Sequence, residues 1–131
     1  MKDIPIGAKG EFTLVVQPEH LANRFKDSAL PPVLATPVMI MVMENAALNA
    51  IKPFLDHGQS AVGTRVDVQH LAPTPVGGRV TGRAEVIHSD GRHVAFTVTA
   101  RDEQEVIGTG THERAVVDLA RLARRLDAKS R

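Results

Sequence analysis

The run Pro37–Leu55, PVMIMVMENAALNAIKPFL, constrains the fold more than any other stretch because it is apolar on nearly every side. A helix with a single apolar stripe can lie on a surface, whereas one that is apolar all round has to be enclosed. Thr36, directly before Pro37, reads as a cap residue followed by proline at the first helical position, and Asp56, His57 and Gly58 supply the stop. Inside this run stands one acidic residue, Glu44. A lone carboxylate in such surroundings must be hydrogen-bonded, paired or protonated, because an unpaired buried charge is strongly unfavourable.

The segments around the helix read differently. Residues 11–17 form a short first strand ended by Pro18. Residues 19–35 are irregular, with Pro31 and Pro32 blocking a continuous helix and leaving room for a lid or loop. From residue 60 the apolar period changes from 3.6 to 2, and Val62, Thr64, Val66, Val68 and His70 share one parity of a strand over 61–71. Strands follow over 80–88 and 93–100, joined by the hairpin signal Ser89-Asp90-Gly91, and then over 105–117. Gly108 and Gly110 in the last of these predict a bend or a close backbone approach. A short basic amphipathic helix, Leu119–Leu126, follows, with Arg121, Arg124 and Arg125 on its wetter sides. The expected order is strand, loop, long helix, then four strands in meander. A helix this greasy is hidden only if the sheet curls around it, which makes the chain α+β. Such a sheet leaves a face or an edge open, so pairing with a second copy is expected.

The 131 residues suit one domain, 1–131, with a single core and no room for a cofactor domain. The only aromatics are Phe12, Phe25, Phe54 and Phe96, and a net charge of +1 gives no electrostatic reason to expect nucleic acid. No segment approaches the roughly 18–20 apolar residues of a membrane span. The opening MKDIPIGAKG lacks the apolar stretch of a signal peptide, so a cytoplasmic protein is expected. With no cysteine there is neither a disulfide nor a thiolate nucleophile. The six histidines show no metal-ligand spacing, and His112-Glu113 alone is uninformative; neither a metal nor a cofactor is expected. Gly77-Gly78 is not a phosphate loop, since no strand-loop-helix context surrounds it, but it lets a ligand pass close to backbone.

Three side chains carry candidate chemistry. Glu44 is either a structural carboxylate held by a backbone amide or an arginine, or a general base or nucleophile poised against an apolar wall of Met41, Val42, Met43 and Ala47. His70, at a strand end before Pro73 and Pro75, is its chemical complement, although a strand-end histidine also serves as a surface or core residue. Thr36 has a sufficient role as a cap. It also stands where free helix amides would hold a carbonyl oxygen developing negative charge. Thr36 and Glu44 are separated by about 12 Å along a helix axis, so they reach one substrate from different directions or from two subunits. Asn45, Asn49 and Gln69 are candidates to orient them. The basic group Arg114, Arg121, Arg124, Arg125, Lys129 and Arg131 is a solvated tail or a contact for the phosphates of a nucleotide-bearing acyl carrier.

The stretches ATPVMIMVMENA, VGTRVDVQH, PTPVGG and IGTGTHERAV resemble the hotdog-fold thioesterases, and more closely the fluoroacetyl-coenzyme A thioesterase family, over nearly the whole chain. That resemblance implies an antiparallel sheet wrapped around the long helix, a homodimer that can assemble further, and an acyl-CoA thioester at the subunit interface. The family's threonine, glutamate and histidine fall on Thr36, Glu44 and His70. A glycine near the acyl group falls on Gly63 and an arginine of the last strand on Arg114. By the same resemblance Glu44 attacks the thioester carbonyl or activates water, His70 polarises or protonates, and Thr36 positions. The specialised enzyme carries phenylalanines in the lid before its threonine, whereas Lys26–Pro32 has none, which implies a broader or different short acyl-CoA. Two other classes use the same scaffold: a non-catalytic acyl-CoA-binding module, and a hydratase or dehydratase with its acid–base pair aimed beside the carbonyl.

Overall fold

The computed structural model describes residues 3–131; Met1 and Lys2, which begin the stretch read for a leader, lie outside the described residues. Five strands, β1 (Lys9–Val15), β2 (Gln59–His70), β3 (Arg79–Ser89), β4 (His93–Arg101) and β5 (Val106–Asp118), form one antiparallel sheet. Between β1 and β2 run a 3-10 turn (Pro18–His20), a four-residue helix α1 (Ala22–Phe25) and the long helix α2 (Thr36–Ile51). Helix α3 (Leu119–Lys129) follows β5, and Asp118 caps it by accepting from the Arg121 amide at 2.9 Å. The curled sheet wraps around α2, which is the hotdog arrangement. Among the described residues no helix is long and apolar enough to cross a membrane.

The strand order is β1-β3-β4-β5-β2, so the expected four-strand meander is corrected: only β3, β4 and β5 follow one another. The link from β2 to β3 contains Pro73 and Pro75 and cannot form a tight hairpin. It crosses the sheet instead, held by Leu34 N–H to Thr74 O at 2.8 Å and Gly77 N–H to Val16 O at 2.9 Å. β2 is thereby left on the edge. Of its twelve residues Ala61 alone is buried, and Val62 and Val66 are 40% and 41% exposed.

Helix α2 buries Val38, Met39, Val42, Met43, Ala46, Ala47, Ala50 and Ile51 against the sheet. Each large side chain among them contributes about 1.5–3 kcal/mol relative to exposure. The helix sits close because the sheet has glycines beneath it. A Cβ on Gly82 would come within 2.7 Å of Val42 Cγ1, and one on Gly108 within 2.5 Å of Met39 Sδ. The close approach expected at Gly108 is thus present. Enclosure is not complete, however. Pro37, Met41, Glu44 and Leu48 recur every three or four residues along a stripe that the curled sheet leaves open or only half covered.

Candidate active site

At the start of α2, Thr36 Oγ1 lies 2.8 Å from His70 Nδ1 at the end of β2. Ala35, not Thr36, is the cap residue, and it makes no side-chain capping bond, so the expected capping role of Thr36 is corrected. Thr36 occupies the first helical position with Pro37 after it, and its hydroxyl is therefore free to meet the imidazole. Burial lowers the His70 ring below the ordinary value of 6.5, with the Ala72 backbone acting in the opposite sense. His70 Nε2 is buried and has no hydrogen-bond partner among the described residues. Both side chains line an open cleft of about 390 Å³ with Ala22, Lys26, Leu30 and Val33 of the segment before α2. A hydroxyl against a neutral imidazole can pass a proton in either direction.

Two turns further along α2 a second polar cluster is assembled. Glu44 Oε2 lies 3.9 Å from Arg114 Nη1, and a Cβ on Gly63 would stand 2.7 Å from the same oxygen. Only at a residue without a side chain can β2 pass this close to the carboxylate. The Glu44 side chain is 35% exposed, which corrects the expectation of full burial. Only Met41 of the expected apolar wall, 38% exposed, shares the open stripe with Glu44; Val42, Met43 and Ala47 are buried in the core, because successive helical residues are about 100° apart. Of the two readings of Glu44, the arginine partner of the structural one is therefore present, and so is the opening that a chemical role requires.

Arg114 is almost fully buried on β5. Its Nη2 donates to Ala61 O at 2.6 Å, its Nη1 lies 3.2 Å from His112 Nε2, and its Nε has no partner among the described residues. Burial lowers the guanidinium below its usual value while Glu44 opposes that shift, and arginine remains a cation. His112, 2% exposed, stacks on Phe96 with ring centroids 5.8 Å apart and places Nδ1 2.8 Å from Arg65 O. That carbonyl follows the bulge in β2 between Gly63 and Arg65. Sequence reasoning left His112 unassigned. The signal was parity: His112, Arg114 and Val116 alternate on the buried side of β5, so two polar residues stand at core positions.

The remaining candidates lie elsewhere. Gly77 takes a positive φ of 87° in the β2–β3 link, and a Cβ on Gly78 would meet Thr74 Cγ2, so both shape that crossing. Asn49 donates to Glu11 O at 2.8 Å, which ties α2 to β1 and takes it away from the site. Arg121, Arg124 and Arg125 are exposed on α3. Among the described residues no group of three or more His, Cys, Asp or Glu side chains could hold a metal ion.

A curled antiparallel sheet around one long helix, with polar side chains gathered where the helix meets the edge strand, defines a hotdog-fold protein. Residues 16–120 match the family model described as the fluoroacetyl-CoA-specific thioesterase FlK. The fluoroacetyl-CoA thioesterase of Streptantibioticus cattleyicolor is 37% identical over 136 residues, covering 99% of this chain and 98% of the relative. Among solved structures, the fluoroacetyl-CoA thioesterase FlK superposes with a TM-score of 0.91 at 33% identity, over 98% of each chain. A thioesterase superfamily member from Thermus thermophilus superposes with a TM-score of 0.88 at 35% identity, over 98% of this chain and 97% of that one. The chain belongs to the family of fluoroacetyl-CoA-specific thioesterases, and it is a thioester hydrolase.

Proposed function

We propose that the protein hydrolyses a short-chain acyl-CoA thioester to the free acid and coenzyme A, using Glu44, His70 and Thr36. The observation that carries this reading is the placement of two polar clusters on one helix, each meeting β2, in a chain of a thioesterase family. Glu44 takes a proton from water as the water oxygen bonds to the thioester carbonyl carbon. The carbon–sulfur bond then breaks, and the proton held by Glu44 is passed to the leaving thiolate by way of the His70 ring, which Thr36 orients, so that carboxylate and imidazole both return to their starting states. Gly63 gives the acyl group room beside Glu44, and Arg114 holds the carboxylate. Gly77 and Gly78 serve the substrate only indirectly, by fixing the link that follows His70. A structure of a FlK variant in complex with acetyl-CoA, superposing with a TM-score of 0.92 at 32% identity over 97% of this chain and 99% of that one, supports a two-carbon acyl group as a starting probe. The absence of phenylalanine from Lys26–Pro32 favours a broader acyl range than fluoroacetyl alone.

The working unit in this reading is a dimer joined through β2. An edge strand exposed on both faces, with Val62 and Val66 open to solvent, is a template for pairing with a copy of itself. Antiparallel pairing about a two-fold axis turns the His70 end of one β2 toward the Gln59 end of its partner. The Thr36–His70 pair of one protomer then approaches the Glu44–Arg114 pair of the other. The test is release of free thiol from a panel of acyl-CoA esters by the unmutated protein and by Glu44→Gln. No thiol release from any ester, or full activity in the variant, overturns the reading.

A further inference from the structure

We propose that His112 is a positioning residue: its imidazole accepts a hydrogen bond from Arg114 and thereby aims the guanidinium at the Glu44 carboxylate. The inference rests on the acyl-CoA reading above for its kinetic part, and on geometry alone for its tautomer.

The ring is defined by what surrounds it. Its Nδ1 lies 2.8 Å from the Arg65 carbonyl oxygen, which can only accept, so Nδ1 carries the proton. Its Nε2 lies 3.2 Å from Arg114 Nη1, which can only donate, so Nε2 must be bare. The two contacts together allow one state of the ring, the neutral Nδ1–H tautomer. The charged groups that act on it are Arg114 and Glu113 from β5 and Glu44 from α2; Arg65 of β2 meets it through its backbone carbonyl, and Phe96 of β4 covers one face. Burial, the largest effect, and the Arg114 charge both push the ring toward its neutral form, against the Arg65 carbonyl and the two carboxylates.

Arg114 needs such a support. Ala61 O fixes Nη2 at 2.6 Å, and Nε makes no bond among the described residues. Without His112, one carbonyl contact would remain to orient a guanidinium whose separation from Glu44, 3.9 Å, is too long for a hydrogen bond. The same imidazole also secures the backbone just past the bulge that presents Gly63. One buried ring therefore ties together the cation beside Glu44 and the strand segment where the acyl group is proposed to sit. Its removal affects the reacting geometry from two sides.

Two measurements test this. In the unmutated protein, 15N NMR of the histidine rings is expected to show His112 as the Nδ1–H tautomer across the working pH range. An Nε2–H or doubly protonated ring overturns the proposal whether or not any thioester is hydrolysed. The second measurement compares His112→Gln, which can place an acceptor near the Nε2 position, with His112→Asn, which reaches Arg65 O but is too short for Arg114. His112→Asn is expected to lower kcat by about tenfold or more with KM within about threefold, while His112→Gln recovers most of the loss. In an Arg114→Met background, His112→Asn is expected to add nothing further. Equal losses in the two His112 variants, or losses that multiply with that of Arg114→Met, overturn the positioning role. If His112→Asn does not fold, the tautomer and the activity of His112→Gln decide, and inactive folded His112→Gln counts against the proposal.

Discussion

Thr36 Oγ1 and His70 Nδ1 stand 2.8 Å apart, a hydroxyl from the first turn of the enclosed helix against an imidazole at the end of the edge strand. If the imidazole receives or returns a proton through this contact, Thr36→Ala and His70→Ala lower kcat by about 10². Thr36→Ser, which keeps the oxygen, stays within about tenfold of the parent. Thiol release from acetyl-CoA measures all three; unchanged turnover in His70→Ala removes the imidazole from the mechanism.

Glu44→Gln keeps the side-chain volume and loses the proton acceptor. Turnover is expected to fall by about 10² to 10⁴, with circular dichroism and thermal unfolding close to the parent. The half-exposed position of Glu44 is the reason the fold tolerates the change. A variant that unfolds would instead identify Glu44 as a structural partner of Arg114.

Gly63→Ala tests the space beside the carboxylate. The added methyl would stand 2.7 Å from Glu44 Oε2 and 3.3 Å from His112 Cε1, so the Glu44 side chain has to move. Turnover on short acyl-CoA esters is expected to drop by about tenfold or more, with stability changed by less than about 1 kcal/mol because the position is exposed. Parent-like kinetics would show that β2 can give way there.

The pH dependence of stability follows from the half-buried His70 and the buried His112. His70 and His112 are both held below 6.5 in the folded chain, chiefly by burial. The unfolded chain therefore binds more protons than the folded one as the pH falls through 6.5 and below, and stability is lost on acidification in that window. Urea unfolding at a series of pH values reads this directly. The slope should weaken in His112→Gln; a parent-like slope in that variant would exclude His112 as a contributor.

Val66→Asp places a charge on the open edge of the sheet. If two copies pair through β2, analytical ultracentrifugation should show the variant as a monomer and the parent as a dimer, and the monomer should lose activity. A parent that sediments as a monomer and is fully active would separate catalysis from pairing.

Most of the fold was legible because its signals are local. The period change at residue 60, the Ser89-Asp90-Gly91 turn and the apolar run of α2 each reflect neighbours within a few residues, and the strands fall within two residues of where they were expected. The strand order was not legible, since the partner of β2 is chosen by a proline-bearing link that crosses the sheet. Glu44 was found because a charge in an apolar run is conspicuous, but its surroundings were misjudged. Helical phase, rather than sequence neighbourhood, decides what it faces, and Gly63 and Arg114 come from two other strands. His112 was passed over although it shares its parity with Arg114 two residues along β5; its other partner, Arg65 O, is brought to it only by sheet order and register.

Gly10, Gly82 and Gly108 seat α2 from three different strands, and Thr36 and Glu44 both ride on that helix. Any side chain added under the helix would lift the two reactive groups as one rigid bar, so their mutual spacing would survive while their reach to His70 and Arg114 would not. Changing which acyl group fits is for this reason a task for the cleft-lining segment before Thr36 rather than for the sheet beneath the helix.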